Sequence, residues 1–184
     1  MADDSQAPLR RPGDPRPDIH SMIRVDQAGE YGATRIYAGQ LAVLGDRSPA
    51  ARSITRMARQ EDEHLARFDE IIAERGVRPT VLQPLWDRAG FALGAVTALI
   101  GPEAAMACTA AVETEIDKHY SDQLEALGDE DPELAKTIER FREDEREHHD
   151  TAIAEGAEQA PAYPLMSGLI RLGCKFAIAA SKRI

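Results

Sequence analysis

Two short stretches carry the residue types that hold a transition metal. RQEDEHLARF (59–68) and REDEREHHDT (142–151) each contain Glu-x-x-His, pairing Glu61 with His64 and Glu145 with His148. On a helix, residues three apart share a face, so carboxylate and imidazole project toward a common point. A carboxylate oxygen beside a neutral imidazole nitrogen suits iron or manganese. One such pair carries little weight, because Glu and His co-occur on solvated helix faces. Two pairs on separate helices carry more.

A helical bundle that houses a dinuclear carboxylate site takes Glu-x-x-His from two helices and one further Glu from each of two others, the ferritin-like arrangement. The sequence offers both lone glutamates. Glu30 is the only acidic residue between Asp26 and Asp46, and Glu113 follows the apolar run ACTAAV (107–112). A carboxylate flanked in this way faces the core, where it needs a cation or a proton. Glu30 and Glu61 are 31 residues apart and Glu113 and Glu145 are 32 apart, so the set repeats as two helix pairs. His149, at i+4 from Glu145, competes with His148, and the symmetry with His64 favours His148. Glu115, with His119 at i+4, competes with Glu113, but Asp117 and Lys118 nearby make it read as a solvated face. The competing account of the whole pattern is a metal-free bundle whose glutamates lie on the surface.

The elements that must position these residues are helices. The first runs from near His20 to about Leu44, closed by Gly45-Asp46. Ser48-Pro49 restarts the chain as N-cap and first helical residue, and this second helix reaches about Arg75 before Gly76 and Pro79. Pro102 opens a third long helix to about Leu127, and Pro132 a fourth to about Ala157. Two further segments, about 82–101 and 165–182, are apolar or amphipathic. Of these, AGFALGAVTALIG (89–101) is uncharged but shorter than the roughly 20 residues a spanning helix needs. The expected fold is all-α: a ferritin-like four-helix bundle with two additional helices.

Composition agrees with that class. The 184 residues suit one domain with a buried core, here 20–184, and long β-branched runs are absent. The net charge of −10 argues against nucleic acid as a partner. Cys108 and Cys174 lie far apart without a Cys-x-x-Cys, which reads as two buried thiols in a reducing compartment. Residues 1–19, rich in proline and without an apolar stretch, read as a disordered lead-in rather than a secretory signal.

On IRVDQAGEYGATRIYAGQ (23–40), EDEHLARF (61–68), ACTAAVETEIDKHY (107–120), FREDEREHHD (141–150), APAY (160–163) and GCKFAIAASKRI (173–184), the chain closely resembles the demethoxyubiquinone hydroxylase family of ubiquinone biosynthesis. Gln27 stands where that family often has histidine, outside the ligand positions. The resemblance implies a monooxygenase that hydroxylates the ring of a polyprenylated demethoxybenzoquinol. It implies two Fe ions per chain, held by Glu30, Glu61, His64, Glu113, Glu145 and His148, with O₂ as co-substrate and NADH as the source of electrons. No Gly-x-Gly-x-x-Gly offers a dinucleotide fold for that donor. His119 and Tyr120 resemble a His-Tyr pair of the family near substrate and electron entry. Tyr120 is also seven residues, about two helical turns, beyond Glu113, and the bland alternative is a core tyrosine.

A long-tailed quinone is met in lipid, and the last helix suits that independently. Residues 163–184 contain no Asp or Glu; Arg171, Lys175 and Lys182 form one stripe, and Leu165, Leu169, Leu172 and Phe176 another. A basic amphipathic helix reads as interfacial on an anionic membrane, with packing into the bundle or a homo-oligomer contact as the alternative. The expected location is peripheral, on the cytoplasmic face of the cell membrane, or the mitochondrial inner membrane for a processed eukaryotic homologue. An accessory lipid-binding protein is a partner by resemblance only. Two other functions compete: a soluble ferritin- or rubrerythrin-like protein handling iron or peroxide, and a lipid- or quinone-binding interaction protein with a vestigial metal site.

Overall fold

The computed structural model describes residues 17–46 and 48–184, so most of the segment 1–19 lies outside the described residues. Six α-helices follow in order: α1 Ile19–Leu44, α2 Pro49–Arg75, α3 Gln83–Ile100, α4 Pro102–Leu127, α5 Pro132–Ala154 and α6 Tyr163–Ser181. Their starts are chemically marked. The side chains of Asp18, Ser48 and Asp131 accept hydrogen bonds from the backbone N–H groups of Ser21, Ala51 and Leu134, satisfying donors that a helix start leaves free. Proline fills a first-turn position in α2, α4 and α5. Helix α5 ends at Ala154, three residues short of the sequence expectation, and a single 3₁₀ turn at Ala157–Gln159 follows.

The bundle proper is α1, α2, α4 and α5, built as two hairpins: α1 packs along α2, and α4 along α5. Each hairpin carries one extra helix. Helix α3, the crossover between the hairpins, lies on α1, and α6 lies on α4. Two apolar clusters fill opposite ends of the bundle. One gathers Tyr37, Ile54, Met57, Met106 and Ala152; the other gathers Ile23, Phe68, Tyr120, Leu127 and Phe141. Along every bundle helix, the Glu and His residues of interest fall in sequence between these two clusters.

The α1–α3 contact depends on glycine. A Cβ on Gly94 would stand 1.9 Å from the Ile36 carbonyl oxygen, and one on Gly39 would stand 2.1 Å from the Phe91 carbonyl oxygen. Both obstacles are backbone and cannot swing aside, so the helices touch main chain to main chain. Gly94→Ala is therefore expected to destabilise the fold by about 1–3 kcal/mol, the usual cost of overpacking. Gly168→Ala on α6, where nothing lies within 4 Å, should be neutral or stabilising by up to about 1 kcal/mol. Thermal unfolding followed by circular dichroism checks both; equal melting temperatures for the two variants would contradict this packing.

Candidate metal centre

Six side chains meet at the middle of the bundle. Glu30 comes from α1, Glu61 and His64 from α2, Glu113 from α4, and Glu145 and His148 from α5, and every one is buried. They form two overlapping groups. Glu30, Glu61, His64 and Glu145 offer atoms within 4.8 Å of one another, and so do Glu61, Glu113, Glu145 and His148. Glu61 and Glu145 belong to both groups. The Nδ1 of His64 lies 3.1 Å from Glu145 Oε1 and 3.5 Å from Glu30 Oε2, and the Nδ1 of His148 lies 3.1 Å from both Glu61 Oε1 and Glu145 Oε2.

His148 Nδ1 and Glu145 Oε2 are hydrogen-bonded, but most of this proximity is not matched by hydrogen bonding. Glu30 Oε2, both Glu61 oxygens, His64 Nδ1, Glu113 Oε2 and Glu145 Oε1 are buried without a hydrogen-bond partner. Leaving so many polar atoms unpaired in one dry layer is costly. Their lone pairs converge on shared space, a condition that cations satisfy. The donor set of carboxylates and imidazoles is that of iron or manganese.

The surrounding side chains repeat across the two halves. Tyr37 donates its hydroxyl to Glu113 Oε1 at 2.8 Å, and Tyr120 donates to Glu30. Each tyrosine lies seven residues beyond the glutamate of its own helix and grips the glutamate of the other. The histidines are held reciprocally too. His64 Nε2 lies 3.1 Å from Asp144 Oδ2, and His148 Nε2 lies 3.1 Å from Gln60 Oε1. Asp144 and Gln60 each immediately precede the Glu of the opposite Glu-x-x-His. In both rings Nδ1 faces inward and Nε2 outward, so these partners orient the imidazoles. Phe141 stacks on His64 at a centroid distance of 3.9 Å.

The electrostatics are those of crowded carboxylates. Burial pushes the carboxyls of Glu61 and Glu113 well above the usual range, and the charge of Glu145 adds to both. Burial also raises Glu145, partly offset by His64. In Glu30 burial acts the same way but is overcome by His64, Glu61 and Tyr120, leaving it lowered. Burial disfavours charge on His64 as well, yet Glu145 and Glu30 hold it up to about 10, whereas burial leaves His148 lowered. Without a cation, the site therefore retains protons.

Several sequence expectations are placed by this geometry. Tyr120 is buried against Glu30, and His119, with a side chain 10% exposed, has its Nε2 3.3 Å from buried Asp26. Gln123 donates to the same Asp26 oxygen at 2.8 Å. His149 lies at the surface beside Asp150, outside both groups. Glu115 is not on a solvated face, as its charged neighbours suggested. It is 3% exposed and receives Arg171 at 2.6 Å and Lys175 at 3.7 Å from α6. The basic stripe of α6 thus turns partly inward, and its apolar stripe outward. Cys108 is buried and Cys174 only half-buried, a partial correction to two buried thiols. Gln27 donates to Asp69 at 3.0 Å, away from the centre. Tyr37, Gln60 and Asp144 were overlooked, although the seven-residue offset and the position before each Glu-x-x-His were visible in the text.

Proton retention gives the metal-free protein a pH signature. His64 and Glu61 have folded values raised above their unfolded ones, so their stabilising contribution is present at low pH. It is lost as pH rises through the folded values, for His64 between 6.5 and about 10. The metal-free chain should melt progressively lower from pH 6.5 to 10, and Glu61→Gln should flatten that slope by removing one crowded carboxylate. Scanning calorimetry reads this; a metal-free melting temperature indifferent to pH over that window would contradict the crowding.

Comparison with known proteins places the chain. A family model described as ubiquinone biosynthesis protein COQ7 matches residues 17–181. A 3-demethoxyubiquinol 3-hydroxylase of Rhodospirillum rubrum is 56% identical over 177 residues, covering 95% of this chain and 84% of that protein. The NADPH-dependent 3-demethoxyubiquinone 3-hydroxylase, mitochondrial, of Homo sapiens is 51% identical over 173 residues, covering 92% and 79%. The 5-demethoxyubiquinone hydroxylase, mitochondrial, of Saccharomyces cerevisiae is 44% identical over 182 residues, covering 90% and 78%. This chain belongs to the ubiquinone biosynthesis protein COQ7 family.

Proposed function

We propose that this protein is a di-iron hydroxylase that adds one oxygen atom to the ring of a polyprenylated demethoxybenzoquinol in ubiquinone biosynthesis. The observation that carries the reading is the pair of overlapping buried Glu/His groups sharing Glu61 and Glu145. The hydroxylase names of relatives that cover most of the chain support the reaction. Glu30, Glu61, His64 and Glu145 would hold one iron, and Glu61, Glu113, Glu145 and His148 the other, Glu61 and Glu145 being within reach of both. Bound iron would supply the redox chemistry that activates O₂, which organic side chains lack.

The chain's own residues prepare the ground for it. The four glutamates provide the negative charge that matches two cations in an apolar layer. Tyr37 and Tyr120 orient Glu113 and Glu30 by donating to one oxygen of each. The apolar clusters lie above and below the site, and a cavity of about 520 Å³ lined by Glu113, Glu145 and His149 reaches it from the side. In overall balance, one oxygen atom enters a ring C–H bond and the other leaves as water, consuming two electrons and two protons. The electrons would come from a reduced nicotinamide. The names of the mammalian relatives give NADPH where the family resemblance implied NADH. The pair His119 and Tyr120, backed by Asp26, is the proposed place where electrons and protons arrive.

The quinone tail implies a membrane surface. No helix among the described residues is long and apolar enough to cross a membrane. Leu165, Leu169, Leu172 and Phe176 of α6 are each more than 60% exposed, and Leu85, Val96, Leu99 and Ile100 of α3 are exposed as well. Exposed apolar side chains in rows mark contact with another apolar phase. Because Arg171 and Lys175 face Glu115, the attraction would come mainly from apolar area, with headgroup charge secondary.

Two measurements test the proposal. The iron-loaded protein should consume O₂ only with a short-chain demethoxyquinol and yield the hydroxylated ring, and Glu61→Ala or Glu145→Ala should abolish this while keeping helix content. Uptake indifferent to quinol would favour a ferritin-like iron- or peroxide-handling protein. Quinone binding that survives loss of all metal would favour a binding protein with a vestigial site. Phosphatidylcholine vesicles should sediment the protein even in high salt, and Leu169→Glu with Phe176→Glu should release it. Binding that needs anionic lipid and vanishes in salt would contradict the apolar mode; no binding at all would point to a second copy or an accessory lipid-binding protein over these faces.

A further inference from the structure

The two metal positions are matched in almost every respect. Each has one histidine, one unshared glutamate gripped by a tyrosine, and the shared Glu61 and Glu145. They differ in what lies behind the histidine. His64 Nε2 faces a carboxylate, Asp144 Oδ2, at 3.1 Å; His148 Nε2 faces a neutral amide oxygen, Gln60 Oε1, at the same distance.

That difference has a direct chemical consequence. An imidazole that donates its outer N–H to a carboxylate shifts electron density toward its inner nitrogen and becomes a stronger donor; an amide oxygen accepts the same bond without the charge. The surroundings do not cancel the effect. Phe141 covers one face of the His64 ring, and among the described residues no cation other than that ring pairs with the Asp144 carboxylate. On the other side, Tyr37 meets His148 only edge-on, with centroids 6.5 Å apart.

We infer that Asp144 and Gln60 are positioning residues that make the dinuclear centre unequal, so that the position built on His64 binds a divalent metal more tightly than the position built on His148. This rests on the dinuclear reading given above. It divides the pair into a firmly held ion beside Glu30 and Tyr120 and a more weakly held one beside Glu113 and Tyr37. A carboxylate behind His64 also favours the more oxidised state of the ion there, so the two ions differ in redox behaviour as well as affinity.

The test is anaerobic titration of the metal-stripped full-length chain with cobalt(II) chloride, followed by visible absorbance and by metal analysis after gel filtration. The second ion enters against the charge of the first, so two steps alone do not decide; the ligand dependence of the tight step does. The expected result is two bound ions, with a tight step that His64→Ala removes and His148→Ala spares. Asp144→Asn should weaken the tight step 10–100-fold, the range for loss of such an outer partner, and Gln60→Glu should tighten the weak one. Circular dichroism and the surviving step of each variant show that the chain is still folded. A tight step insensitive to Asp144→Asn, or one removed by His148→Ala instead of His64→Ala, would overturn the inference while leaving the dinuclear centre intact. Fewer than two bound ions in the unaltered chain would overturn the dinuclear reading itself.

Discussion

Four buried glutamates facing one another in a layer between two apolar clusters is the constraint from which the rest of this structure follows. Like charges at such distances cannot all ionise without compensation. The metal-free site answers with protons, raising Glu61 and Glu113 and keeping His64 charged. Two divalent cations would answer better, because they use the lone pairs that have no hydrogen-bond partner. Stability, proton affinity and metal affinity are thus aspects of one balance, and each shifts when any of the four carboxylates changes.

The layer is held by repetition. Each hairpin supplies a lone glutamate with a tyrosine seven residues on, then a Glu-x-x-His preceded by a residue that reaches across to the other hairpin's histidine. Glu30, Glu113, His64 and His148 are consequently each held by the half to which they do not belong. Neither half assembles its Glu/His group alone, and closure of the bundle is closure of the cluster. The extra helices extend the same logic outward. Helix α3 lies against α1 through glycine, α6 is tied to α4 through Arg171 and Glu115, and both leave apolar residues uncovered.

Much of this was legible in the chain. Helix starts were readable because proline and serine mark them chemically, and the six converging residues because Glu-x-x-His recurs on two helices, 31 and 32 residues beyond a lone glutamate. What was not legible depended on which way a helix face turns. Glu115 sits amid Thr114, Asp117 and Lys118, a solvated pattern by composition, yet α6 covers it and brings a guanidinium. The α6 cations were read as facing lipid because sequence shows a stripe without showing its partner. Tyr37 carried no signal in the sequence because its hydroxyl finds Glu113 only after two helices dock. Such pairings join residues 56 to 90 positions apart, beyond any local signal.

The central claim, that six residues hold two ions with Glu61 and Glu145 shared, is met most directly by anomalous scattering at the iron edge from crystals of the iron-loaded protein. The account predicts two peaks, one among Glu30, Glu61, His64 and Glu145 and one among Glu61, Glu113, Glu145 and His148. A single peak, or peaks away from this layer, would contradict it.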